Sequence, residues 1–324
     1  MKRYLAAVGL VLCLALSACG GGEEPVRQTS RLGEAAGLDE ETILLTIDGR
    51  EIPAWRYLYW LGYTCQRVQE RYQSAGLLLD WSTPVSGGTL ADYARDQALA
   101  DTALYATVEN WAERYGCQIE AEEPDGSSRL PDMGLSAERM AELERVGELY
   151  AALYTLYCTE GSDLAPTQEE LLSYAEMAGA VTLERILIPA GEDRKAGRKK
   201  ASELFSQING AEDQTAVFSA LAEEHGDPAM PRTALPGDET LAEDLLDAAQ
   251  ALEVGQCSGI LETEEGFSIL RRLPLDAAAL KEPYFDHLLQ TAAEQSQVTT
   301  TAAYGELDPA RFARQFLPVP GNGA

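Results

Sequence analysis

LEVGQCSGILETEEGFSILRRL, residues 252–273, is the stretch whose pattern decides the fold. An apolar helix end at Leu252 runs into a turn centred on Gly255, and two short runs rich in β-branched or aromatic residues follow with turn signals between them. The pattern predicts a helix feeding a hairpin. Upstream, Val181-Thr-Leu-Glu-Arg-Ile-Leu-Ile188 reads as a strand, residues 194–208 as a helix, and Phe218, Leu221 and Ala222 as part of a second helical stretch.

This stretch closely resembles the C-terminal half of a parvulin domain, a peptidyl-prolyl isomerase module of the form L-x-V-G-x-x-S-x-x-V-x-T-x-x-G-Y-H-I. Leu252, Val254, Gly255, Ser258, Thr263, Gly266 and Ile269 occupy its positions. The upstream strand stands where that family has A-x-H-I-L-V, the helix from Arg194 where it has K-A-x-x-L-x-x-x-I, and Phe218-Leu221-Ala222 where it has F-x-x-L-A. The resemblance covers residues 181–273 and implies an antiparallel sheet with helices. It also implies a proline-binding cleft, onto which Leu235, Leu241, Leu245 and Phe267 fall. The three leucines either line that cleft or belong to the core. The polar half departs from the family: Arg185 replaces the first histidine, Pro228 falls near the cysteine or aspartate position, and Ser268 replaces the second histidine. An arginine and a proline cannot reproduce a histidine pair, so the domain is expected to be degenerate, with weak isomerase activity or none. The active alternative takes its polar groups from elsewhere, for instance Ser268 and Glu264.

The other end of the chain bears on location. Lys2 and Arg3 precede an apolar run from Leu5 to Leu16, shorter than the ~20 residues of a transmembrane span and of the length of a secretory h-region. The run ends Leu16-Ser17-Ala18-Cys19-Gly20, which looks like a bacterial lipobox, so Cys19 is expected to carry a lipid anchor. Residues 1–18 then form the signal peptide and 19–41 a flexible tether. Two acyl chains hold a protein on a membrane where one would not. The expected location is the extracytoplasmic face of the cell membrane.

Of 324 residues, 53 are Asp or Glu and 25 are Lys or Arg, a formal charge of −28 that loss of Lys2 and Arg3 makes more negative still. Such a surface repels nucleic acid, so no nucleic-acid role is expected. With Cys13 in the signal and Cys19 lipidated, Cys65, Cys117, Cys158 and Cys257 remain. They are either small buried apolar residues or, for the first three, partners in a disulfide. No pair has metal-ligand spacing and the chain has only His225 and His287, so neither a metal nor a cofactor is expected.

Between tether and parvulin-like segment, the chain reads as a hairpin followed by helices. Residues 42–47 form a strand, Asp48-Gly49 the two-residue turn, and Arg50-Glu51-Ile52 the return. Pro53 ends the strand and starts a helix over 54–72; further helices are expected over 90–115 and 136–158, and Thr167-Gln168-Glu169-Glu170 opens another with a capping box. This order, with the lipobox, resembles the N-terminal chaperone domain of the PrsA/SurA group of exported foldases. The resemblance implies that residues 274–324, with helices near 277–297 and 308–316, pack back on a helical domain at 42–180. The expected class is α+β: a mainly helical chaperone domain built from both chain ends, with the parvulin-like domain inserted. The expected function is that of a membrane-anchored foldase or chaperone whose partners are unfolded or partly folded exported polypeptides. An active isomerase and a non-catalytic lipoprotein assembly or ligand-binding factor are the alternatives.

Overall fold

A computed structural model describes residues 30–119, 130–191, 193–227, 230–238 and 240–317. Cys19 and Pro228 lie outside the described residues. The chain opens with a short helix, α1 (Arg31–Ala36), a hairpin of β1 (Ile43–Ile47) and β2 (Arg50–Pro53), and a long helix, α2 (Ala54–Ser74). Asp48 and Gly49 take φ of 48° and 87°, the left-handed pair that a two-residue turn demands and that glycine tolerates without cost. After a minimal hairpin of β3 (Pro84–Val85) and β4 (Gly88–Thr89) come α3 (Leu90–Arg114), α4 (Ala137–Cys158) and α5 (Gln168–Ala178). Three of these helices start on a side-chain cap. Thr89 with Asp92 and Thr167 with Glu170 form reciprocal capping boxes, and Ser136 accepts from the Arg139 N–H.

The C-terminal segment completes this body. A 3-10 turn (Ala277–Leu280) leads into α9 (Lys281–Glu294), then β9 (Val298–Thr300), α10 (Ala302–Glu306) and α11 (Pro309–Phe316). Strand β9 pairs antiparallel with β1, giving the order β2-β1-β9. The core gathers Trp55, Tyr57, Leu58 and Leu61 of α2 with Leu44, Leu45 and Ile47 of β1 and Phe312 and Phe316 of α11. A second cluster joins α3, α4 and α9 through Val108, Leu153, Tyr157, Phe285 and Leu289. Residues from both chain ends thus share one hydrophobic interior.

One boundary differs from expectation. The tether does not extend to residue 41, because α1 is capped by the Ser30 side chain and buries Leu32 and Ala35 against α2 and α11. A β-carbon on Gly62 of α2 would lie 3.0 Å from both Leu32 and Phe316, which shows how closely the three helices approach. Six residues are too few to leave a helical period in the sequence. Cys65, Cys117, Cys158 and Cys257 are free thiols, and burial within α2 pushes that of Cys65 up to about 12.

The inserted segment comprises β5 (Val181–Pro189), α6 (Arg194–Asn209), α7 (Gln214–His225), β6 (Arg232–Ala234), α8 (Glu243–Gln250), β7 (Leu261–Glu262) and β8 (Gly266–Leu273). Its sheet is antiparallel, in the order β6-β5-β8-β7. Side chains alternate across the sheet: Leu183 and Leu270 face α8, while Ile186, Ile188, Phe267 and Ile269 face α6 and α7. The segment enters on β5 and leaves on β8, where Thr182 pairs with Leu273. At this seam the Thr182 hydroxyl accepts from the Asp276 N–H at 2.9 Å, and Gln250 Nε2 donates to the Gly179 carbonyl at 2.8 Å.

Adjacent entry and exit strands and separate cores give a testable expectation. A protein lacking residues 181–273, with 30–180 joined to 274–317 by a short Gly-Ser linker, is expected to keep a cooperative helical unfolding transition. Loss of helical circular dichroism in that protein, with the full chain helical, would show that the inserted segment is needed to hold the helical body together.

Candidate functional site

Arg185 stands inside β5, a strand otherwise mostly apolar, with its side chain only 5% exposed. A guanidinium does not shed its proton in a folded protein, so burial obliges it to find acceptors and counter-charges. Alternation puts it on the same face as Ser268 and Leu270 of β8. Its Nε donates to Ser268 Oγ at 2.9 Å, Nη1 lies 3.3 Å from Asp227 Oδ2, and Nη2 donates to the Glu265 carboxylate. Ser268 is fully buried; Asp227 is 15% exposed and Glu265 62%. Asp227 is delivered by the backbone: Gly226 bridges to Ile186, and the Asp227 N–H donates to the Arg185 carbonyl at 3.0 Å.

The structure therefore joins Arg185 and Ser268, two of the positions singled out in the sequence, and adds two acids. Asp227, one residue before Pro228, supplies the acid near the third position. Glu265, not Glu264, reaches the guanidinium from the β7–β8 turn. A buried arginine in an apolar strand was itself the available signal that carboxylates had to converge on it.

The apolar positions separate into three places. Leu241, just before α8, and Leu245, within it, are 5% and 1% exposed and pack on Leu183, Ala234 and Leu270 of the sheet. They face the same side of the sheet as Arg185, but as core. Leu235 turns instead into the seam with the helical body, among Tyr174, Leu275 and Tyr284. Phe267 does not join the leucines. One residue from Ser268 on a strand, it faces the opposite side, in the core of α6 and α7, with the Arg194 guanidinium 5.4 Å above its ring centroid.

The motif residues of 252–273 have architectural work. The Gly255 N–H donates to the Arg272 carbonyl at 2.7 Å, and Ser258 Oγ accepts the Leu270 N–H at 2.8 Å while donating to the Gly259 carbonyl. Thr263 and Gly266 close the β7–β8 turn on each other. A β-carbon on Gly266 would lie 2.1 Å from the Ile188 carbonyl oxygen, so only glycine fits there. These residues shape the hairpin through its backbone, a demand separate from the side chains that stand at positions 185 and 268.

Residues 185–273 match the family model of the rotamase, described as the PPIC-type PPIASE domain. The segment is a PPIC-type domain. No curated protein matches the chain. Among solved structures the chain is similar to the peptidylprolyl isomerase PrsA from Bacillus cereus, at 15% identity over 88% of this chain and 96% of that one, with a TM-score of 0.27. It is also similar to the foldase protein PrsA from Streptococcus pneumoniae (17% identity, 87% and 96% covered, TM-score 0.27) and to a SurA-like chaperone of Campylobacter jejuni (14%, 78% and 93%, 0.24).

Within the PPIC-type domain the Arg185 network is a buried ion-pair cluster, and removing one partner strands the others. Arg185→Ala is expected to destabilise the domain by about 3 kcal/mol, at the low end for a broken buried pair because Glu265 is largely solvated. Arg185→Met, which replaces the charge with apolar volume, should cost less. Chemical denaturation of both variants checks the order.

Proposed function

We propose that this chain is a foldase-type chaperone for exported polypeptides, tethered by a lipid on Cys19 at the extracytoplasmic face of the membrane, whose PPIC-type domain binds client segments with little proline turnover. One observation carries the reading. The hairpin residues of the domain are intact, while an ion-paired Arg185 and Ser268 hold the positions where the family resemblance implies a histidine pair.

Prolyl isomerisation twists an amide over a barrier of ~18–20 kcal/mol. Catalysis needs an apolar surface that desolvates the carbonyl and a donor free to follow the twisting bond. Here the guanidinium fork is directed at two carboxylates, and Leu241 and Leu245 are packed away. Chaperone work needs only exposed apolar surface, and the helical body supplies it. An open concavity of about 980 Å³ between α2 and α3 is lined by Tyr63, Tyr72, Val85, Leu90 and Tyr93. Leu77 and Leu78 follow α2 in the chain at 60% and 96% exposure. Anchoring rests on the basic, apolar and Cys19 pattern of the N-terminus, and among the described residues no helix is long and apolar enough to cross a membrane.

On a proline tetrapeptide the wild-type kcat/KM is expected to fall at least about a hundredfold below that of a parvulin carrying both histidines, the scale of a lost acid–base or donor group. Arg185→His with Ser268→His should recover more activity than either change alone, because network members act as a unit. Comparable wild-type turnover on the same substrate would make the chain an active isomerase. For the anchor, Cys19→Ala is expected to abolish incorporation of a palmitate analogue in metabolic labelling. Incorporation that survives the substitution would sink the lipid assignment.

A further inference from the structure

An aromatic recess lies between α5 and α9, on the helical side of the seam with the PPIC-type domain. Tyr174 from α5 and Tyr284 and His287 from α9 converge there, with ring centroids 5.2 Å apart for Tyr174–Tyr284 and Tyr174–His287 and 6.4 Å for Tyr284–His287. The open space is about 510 Å³, and Met177, 64% exposed, borders it. Glu169 and Glu170 form its rim, and no lysine or arginine lines it. Glu170 is held in place by the capping box, accepting from both the Thr167 N–H and Oγ1 at 2.7 Å. Burial and nearby carboxylates, Asp286 for Tyr174 and Glu170 for Tyr284, push both phenols up.

We propose that this recess takes a lysine or arginine side chain from an extended client segment. Ring faces attract cations, and a carboxylate rim adds to that attraction. Charge complementarity selects the occupant: the chain carries a formal charge of −28, two glutamates border the recess, and no lysine or arginine lines it. The flexible thioether of Met177 adapts to the aliphatic stem of a basic side chain. Tyr174 and Tyr284 pack against the same buried cluster, Leu171, Ala175, Ala180 and Leu280, as Leu235 of the PPIC-type domain, so a segment gripped here is held beside that domain. The inference rests on the chaperone reading and names the chemistry that one of its surfaces selects.

The test uses the full chain and an acetylated, amidated Gly-Ser peptide bearing two lysines, against the same peptide with two norleucines and with two glutamates. Binding is followed by calorimetry and by NMR shifts of the α5 and α9 amides. The lysine peptide is expected to bind most tightly, more weakly at high salt, and to shift those amides. Tyr174→Ala and, separately, Glu169→Gln with Glu170→Gln should each weaken it about fivefold or more. The glutamine pair keeps side-chain size, so it decides the matter if Tyr174→Ala fails to fold by circular dichroism. Equal affinity for the three peptides, or an unchanged affinity in the glutamine pair, would overturn the proposal. If suppression of client aggregation survives that result, the chaperone reading stands without this recess. If the lysine peptide binds as expected but the wild-type chain suppresses no aggregation, the chaperone reading falls and the recess remains.

Discussion

The antiparallel pairing of β5 with β8 is the constraint on which the rest of the molecule depends. It runs from Thr182–Leu273 to Pro189–Gly266, and its register determines three things at once. It brings the two ends of the insertion together at the seam. It separates the α8 face of the sheet from the α6 and α7 face. It sets Arg185 near Ser268 rather than near Phe267. A slip of one residue would exchange the two faces and bury the wrong side chains throughout. Gly266 guards this register, because a larger residue would strike the backbone of β5 at its last pair.

The same pairing explains why a hairpin motif is a poor witness to chemistry. Gly255, Ser258, Thr263 and Gly266 answer to turns and backbone hydrogen bonds, and those demands are unchanged by what stands at positions 185 and 268. A buried arginine is tolerated in such a strand provided acids reach it, as Asp227 and Glu265 do here. Fold and catalytic potential are thus decided by different residues on one small sheet.

Local chemistry was legible in the sequence wherever a few consecutive residues determine it. The Asp48-Gly49 turn, the Thr167–Glu170 box and the hairpin of 252–273 are of this kind, and each is present in the structure. The departure at Arg185 and Ser268 was legible for the same reason. Long-range consequences were not. Helix α1 is too short to leave a period, and β9 is a run of exposed residues that is a strand only because β1 lies alongside. Asp227 and Glu265 are 42 and 80 residues from Arg185 in the chain, and only the folded sheet shows which acids arrive. Resemblance groups Phe267 with the leucines, whereas the period-two rule sends it to the other face, where the structure has it.

The β1–β9 pairing carries a consequence for the order of folding. Asp48 and Gln297 exchange hydrogen bonds across 249 residues of chain, so the β1–β2 hairpin is synthesised long before the strand that completes its sheet. Phe312 and Phe316, which fill the core around α2, arrive later still. The inserted segment needs only its own contiguous residues and can close earlier. Contacts of such long sequence separation are slow to form because loop closure precedes any gain from them. Until α11 is made, the part of the α2 face that Phe312 and Phe316 cover stays open, so the helical body of this chain is itself a late and aggregation-exposed folder.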